Sequence, residues 1–377
     1  MHKPTHYLVI LFVFSLLFNC NPAKKDSNAH TDSPEPAPEF SLKRGVNISH
    51  WLSQSKVRGA ERAEFFTKED VDFIAEIGYD HIRIPIDEEQ MWDENGNKEP
   101  EAFELLHNGV GWAFDKNLKV IIDLHILRTH HFNETDKPLW TEPAAQEQFF
   151  QCWRDLSSEL RKYPTDKLAY ELMNEPVADD PEEWNALVGK AAAVVRQTEP
   201  ERFLVIGSNR WQSVDTFDEL QVPENDPYII LSFHFYHPFL LTHHEAGWTS
   251  IGDYSGLVKY PGKLVEDNDL KSIADEKLRQ HISDQNHFYN IDSLEKMMEK
   301  PIKKSKELNL QLYCGEWGCL PTVPRKSFLQ WYGDVRNILE KHEIGWTNWD
   351  YKGEFGIVDR RNNNEPVDDL IEVLLEQ

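Results

Sequence analysis

From Lys43 onward, short apolar and β-branched runs alternate with longer stretches whose apolar residues recur at helical spacing. The strand-length runs fall at residues 45–46, 81–84, 119–122, 169–172, 203–206, 228–231, 310–313 and 345–347. The clearest helical stretch opens at Asp180-Pro181, a cap followed by proline in the first turn. It then sets Trp184, Leu187, Val188, Ala191, Val194 and Val195 on one face. Similar stripes run from Phe65 to Ile74, from Leu294 to Ile302 and from Phe328 to Leu339, and all read as core contacts. Eight strands alternating with helices predict a parallel sheet with right-handed crossovers. The expected fold is α/β, a closed (β/α)8 TIM barrel, which needs about 250 residues. The surplus lies between the sixth and seventh strands, around residues 238–290, and predicts an extended loop over the barrel mouth. A doubly wound open sheet is the competing fold, but no glycine-rich phosphate loop follows the first strand.

Composition narrows the partners. The 377 residues carry 40 Lys+Arg against 65 Asp+Glu, a net charge of −25, which argues against nucleic acid and against an anionic membrane surface. The chain has 12 Trp, 12 Tyr and 20 Phe, and many of the Trp stand beside Gly, Asn, Asp or Thr rather than inside apolar runs. That pattern suits a neutral polar ligand stacked on exposed rings, with core packing as the alternative for any one Trp.

The first forty residues read as an address. Residues 1–19 have a weakly basic start and an apolar run from Tyr7 to Phe18, too short to span a bilayer and placed as a signal-peptide core. They end in Leu17-Phe18-Asn19-Cys20, which resembles a bacterial lipobox, although Phe18 and Asn19 depart from the small-residue pattern. The expectation is a lipidated Cys20 that anchors the protein at the cell envelope or surface, with simple secretion as the alternative. Residues 20–40 are polar and rich in Pro, Ser, Asp and Lys, a flexible spacer. Residues 41–377 are then one catalytic domain, expected to be monomeric. Of the remaining cysteines, Cys152, Cys314 and Cys319, only the last two are close enough in sequence to suggest a disulfide.

Active sites of such barrels are built from the C-terminal ends of the strands. The first strand ends in Asn47, the second carries Arg83, and the third runs into Asp123-Leu124-His125. The fourth ends in Asn174-Glu175-Pro176, the sixth in His234-Phe235-Tyr236-His237, the seventh in Glu316-Trp317-Gly318 and the eighth in Trp346-Thr347-Asn348-Trp349. The ordered set, together with Arg44-Gly45-Val46-Asn47 and Ile82-Arg83-Ile84-Pro85, resembles glycoside hydrolase family 5 over roughly residues 42–377. The resemblance implies a retaining β-glycanase without metal or cofactor. Glu175 would be its acid/base and Glu316 its nucleophile. It implies that Arg83 and Tyr236 contact Glu316, that His234 contacts Glu175, and that Asn174 binds the sugar 2-hydroxyl. His125 would bind a neighbouring hydroxyl, and Trp349 would form the floor of the subsite on the non-reducing side.

The substrate expected by default is a β-1,4-glucan cut internally. β-Mannan, β-1,3-glucan and exo-acting β-glucosidase activity remain alternatives on the same frame. The segment from Thr242 to Trp248, with Tyr260-Pro261, looks like a loop that shapes the choice. Trp51, Trp140, Trp211 and Trp248 are candidates for further subsites or for core. A metal-dependent hydrolase would have to use His130-His131, His234 with His237, or His243-His244, yet the first strand lacks the His-x-His pair of such barrels. A sugar-binding surface lipoprotein without catalysis would need only the aromatic residues.

Overall fold

The computed structural model describes Met1 and residues 38–375. The leader, Cys20 and the spacer up to residue 37 lie outside the described residues. Eight parallel strands close into a barrel: β1 (Arg44–Asn47), β2 (His81–Asp87), β3 (Lys119–Ile126), β4 (Leu168–Glu171), β5 (Leu204–Gly207), β6 (Ile229–Phe235), β7 (Gln311–Trp317) and β8 (Gly345–Asn348). Each pairs with its sequence neighbours and β1 closes on β8, so the TIM barrel read from the pattern is the fold. Outside it pack α1 (Pro100–Asp115), α2 (Pro143–Leu160), α3 (Pro181–Arg196) and α4 (Arg325–Lys341), with shorter helices between. Proline opens the first three, where its missing N–H costs nothing and its fixed φ suits the first turn. Asp180 caps α3 in a capping box with Glu183.

Local chemistry breaks two of the expected stripes. The one from Phe65 to Ile74 divides into Ala60–Phe65 and Lys68–Glu76, because Thr67 and Asp70 form a capping box that starts a new helix. The one from Leu294 to Ile302 divides at Met298 into Ile291–Met297 and Glu299–Leu308. After β5 no long helix forms; a four-residue turn at Asn209–Gln212 and a 3-10 helix at Val214–Glu219 cover the barrel. The 238–290 segment forms short helices and a two-residue hairpin pairing Gly262–Lys263 with Phe288–Tyr289. It is fastened to the barrel by the Tyr260 hydroxyl, which donates to Asp334 on α4 at 2.7 Å, and by Thr322, which donates to the His244 carbonyl. Cys314 and Cys319 are buried free thiols, so the disulfide suggested by their spacing does not form.

The lower end of the barrel is closed by an apolar layer of Ile121, Ala169, Val205, Ile230 and Tyr313 from β3 to β7, joined by Phe40, Leu42 and Phe203. Phe40, assigned by composition to the spacer, is fully buried there. Its ring lies 5.4 Å from that of Phe203, the Lys119 ammonium sits 4.6 Å over its face, and Gln311 bonds both its backbone N–H and its carbonyl. Truncation to alanine empties a site of this kind at a cost of about 3 kcal/mol. Phe40→Ala is therefore expected to lower the unfolding free energy by that amount, seen as a lower urea midpoint at unchanged m-value, while leaving activity at 25 °C unchanged; an unshifted midpoint would mean the plug is dispensable.

Candidate active site

Parallel pairing puts polar residues of adjacent strands side by side at the opposite end. The register aligns Asn47 with Arg83, Asp123 with Glu171, and His234 with Glu316. Because side chains alternate along a strand, Asp123 and His125 face the same way, two residues apart. Between β6 and β7 the register slips, so that Phe233 pairs with Cys314 but His234 pairs with Glu316. Gly315 is the residue skipped. A Cβ there would stand 3.0 Å from Ser232 Oγ and 3.4 Å from His234 Nε2, so glycine leaves His234 its place.

Arg83 is the fully buried centre of the site. Its Nε donates to Glu171 at 2.7 Å, and its Nη1 donates to Asn47 Oδ1 and to Glu316 Oε1, both at 2.8 Å. Its Nη2 reaches Glu171 at 3.1 Å, Asn174 Oδ1 at 2.9 Å and Asp123 at 3.0 Å. Every guanidinium N–H is used. The Asn174 amide is oriented by that bond: its oxygen faces Arg83, and its buried NH2 has no partner among the described residues. Gln212 donates to Glu171 from the far side at 2.8 Å. Its side chain crosses the space over Gly207, where a Cβ would lie 2.3 Å from the Gln212 amide.

The two expected catalytic carboxyls face one another. Oxygens of Glu175 and Glu316 and a ring nitrogen of His234 lie within 4.8 Å of each other, the one such grouping at metal-like spacing among the described residues. His130-His131 and His243-His244 belong to no such group. His234 Nδ1 is 2.9 Å from Glu175 and 3.6 Å from Glu316, while the Tyr236 hydroxyl donates to Glu316 Oε2 at 3.0 Å. His125 Nδ1 is 2.6 Å from Asp123, and its ring lies parallel to that of Trp349 at 5.6 Å. Arg83, His125, Asn174, Glu175, His234, Tyr236, Glu316 and Trp349 thus share one mouth.

Burial dominates the electrostatics. It pushes the Glu175 carboxyl well above the usual range, and the neighbouring Glu316 charge adds to the shift. Glu316 is also raised by burial, but the Arg83 charge pulls the other way. The pair therefore keeps its proton on Glu175, whose carboxyl no cation among the described residues touches. Burial lifts Asp123 to about 7 and raises Glu171, each opposed by Arg83. It lowers His125 to about 3 and His234 well below the usual imidazole range, so both rings are neutral. Tyr236 is held as a hydroxyl by burial and by the charge of Glu316.

Of the other tryptophans, Trp51 is core, its Nε1 donating to the Arg62 carbonyl, and Trp140 packs edge-on against His130 and Trp184. Trp211 and Trp248 are exposed at 45% and 57%, which leaves their faces open to a ligand. Two further site residues, Glu171 and Gln212, do not stand out in the sequence. Glu171 left one trace, a carboxylate inside the apolar run 169–172; Gln212 left none, since only the fold brings it under β5.

Two carboxyls at this separation in the mouth of a (β/α)8 barrel, one protonated and one ion-paired, define a carboxylate-pair glycoside hydrolase. A model of the cellulase family, glycosyl hydrolase family 5, matches residues 44–355. The chain belongs to that family. Endoglucanase C of Acetivibrio thermocellus is 31% identical over 325 residues, 83% of this chain and 92% of that protein. Cellodextrinase A of Ruminococcus flavefaciens is 27% identical over 80% of this chain and 83% of its own. Among solved structures, the clostridial cellulose synthase subunit Z from Clostridioides difficile shares the fold, with a TM-score of 0.72 at 24% identity over 89% of this chain and 100% of that one.

Converting Glu316 to glutamine removes the anion beside Glu175, so the Glu175 carboxyl should titrate at lower pH. Carboxyl NMR of Glu316→Gln should report a downward move in the Glu175 pKa; an unchanged or higher value would show that the two groups do not interact.

Proposed function

We propose that this protein is an endo-acting, retaining β-1,4-glucanase in which Glu175 is the acid/base and Glu316 the nucleophile. The observation that carries the reading is the asymmetry of the facing pair. Glu316 is bonded by Arg83 and Tyr236, while among the described residues the Glu175 carboxyl is bonded only by the neutral ring of His234. In the first step a Glu316 oxygen attacks the anomeric carbon as the Glu175 proton passes to the leaving oxygen. In the second, the Glu175 carboxylate takes a proton from water, whose oxygen attacks the same carbon and releases Glu316.

The remaining residues fit this sequence. The unpartnered NH2 of Asn174 suits the sugar 2-hydroxyl, a contact that strengthens in the transition state. His125, neutral and oriented by Asp123, suits a neighbouring hydroxyl, and Trp349 suits an apolar sugar face. The choice of β-1,4-glucan rests on the endoglucanase and cellodextrinase relatives. The reading also includes a monomer tethered to the cell envelope by a lipidated Cys20 and a flexible spacer.

A polysaccharide panel tests the activity. Carboxymethylcellulose should lose viscosity far faster than reducing ends appear, and cello-oligosaccharides should release products of retained anomeric form. Glu316→Gln should lower turnover by at least ~10³-fold with an unchanged circular dichroism spectrum, in line with loss of the covalent step. Inverted products, or near-normal turnover in that variant, would overturn the assignment. For the anchor, Cys20→Ser should move the protein from the membrane fraction to the soluble fraction of expressing cells; retention in the membrane would refute it.

A further inference from the structure

Glu175 lies outside the barrel ladder. The fourth strand ends at Glu171, and Glu175 adopts a left-handed backbone with φ of 42°, a conformation that costs a residue with a side chain and persists only when its surroundings over-determine it. The next three residues supply that determination. The Pro176 carbonyl accepts the Trp211 N–H at 3.3 Å. The Val177 N–H donates to His130 Nε2 at 3.2 Å. The Asn209 side chain pairs with Ala178 in both directions, its Oδ1 accepting the Ala178 N–H at 2.9 Å and its Nδ2 donating to the Ala178 carbonyl at 3.0 Å.

The holding groups are themselves fixed. His130 and Asn209 are both buried. His130 exchanges two backbone hydrogen bonds with Leu127 in the loop after β3, and its ring stands edge-on to Trp140 at 5.3 Å. Burial, with the Lys137 charge adding, lowers the His130 pKa to about 3, so Nε2 keeps the lone pair that the Val177 N–H requires. Asn209 opens the turn after β5, where Arg210, Trp211 and Gln212 all take left-handed φ values between 52° and 63°. That turn sends Gln212 inward to Glu171 and the Trp211 N–H toward Pro176. His130 is not a member of the group formed by Glu175, His234 and Glu316.

We infer that His130 and Asn209 are positioning residues for the acid: they clamp the backbone of residues 176–178 so that the Glu175 carboxyl stays aimed at the leaving oxygen. The inference deepens the proposed function and rests on Glu175 being the acid/base. A clamp of this kind matters only as much as the leaving group needs its proton. General acid catalysis contributes roughly 10²–10⁴-fold, and a displacement of about 1 Å can forfeit ~10²-fold. A dinitrophenolate leaves without help, whereas a phenolate or a sugar alkoxide does not.

The test measures kcat/KM on 2,4-dinitrophenyl, 4-nitrophenyl and phenyl β-cellobiosides for the full-length protein and its variants. His130→Phe keeps an aromatic ring but removes the acceptor; His130→Gln puts an amide oxygen near the Nε2 position. For His130→Phe the expected loss is within about threefold on the dinitrophenyl substrate and about 10–100-fold on the phenyl substrate. His130→Gln should recover most of that loss. Asn209→Ala should give the same leaving-group dependence, and it carries the test if His130→Phe does not fold. Equal losses on all three substrates, or no rescue by glutamine, would overturn the clamp. Glu175→Ala is run alongside. If it shows the steep leaving-group dependence and the His130 and Asn209 variants do not, the clamp fails and the acid assignment stands. If Glu175→Ala lacks the dependence too, the acid assignment itself falls.

Discussion

One buried guanidinium, that of Arg83, lies within 3.1 Å of three carboxylates that are themselves buried. At an effective dielectric of about 20, each charge pair at 3 Å is worth about 5 kcal/mol, while removing each ion from water costs several kcal/mol. A single cation cannot offset three full anions under those terms. Burial accordingly raises Asp123, Glu171 and Glu316, and the arginine opposes the rise in each. The surrounding polar order follows from Arg83. It binds the oxygen of Asn174, whose NH2 is left without a partner among the described residues, binds Asn47, and through Glu171 collects Gln212 from the turn after β5.

The same constraint separates two chemically identical side chains. Glu316 stands at the end of β7, directly on Arg83; Glu175 stands four residues beyond the end of β4, on a left-handed turn, with only a neutral imidazole against it. One carboxyl is therefore biased toward the anion and the other toward the acid by position alone. Mechanisms that use a pair of carboxylates depend on such a difference. Here it arises from which strand end meets the arginine and from the loops that hold the other group off it.

Much of this was legible beforehand. Strand-length runs located all eight barrel strands, because fully buried parallel strands must be near-continuous apolar segments. Polar residues interrupting the strand ends marked Arg83, His125, Glu175, His234 and Glu316, since a polar group inside a barrel wall needs a reason to be there. Other residues were not legible. Phe40 sits in a polar, proline-containing stretch, and only the open lower end of the barrel gives its ring somewhere to go. Cys314 and Cys319 are near in sequence, yet one lies within β7 and the other beyond its end, and both are buried as thiols. His130 and Asn209 come from loops after different strands and meet at residues 176–178 only once the barrel has closed.

The sequence alone determined what local periodicity and residue chemistry can carry: the alternation of strand and helix, the helix starts at proline and capping residues, and the chemical types required at the strand ends. Tertiary structure decided the rest. The pairing register brought Asp123 beside Glu171 and His234 beside Glu316, and a one-residue slip at Gly315 set the last of these. Burial, a property of the whole fold rather than of any segment, then fixed which groups carry protons. Distances between residues far apart in sequence, and the solvent excluded between them, are set by closure of the barrel. No local pattern encodes them.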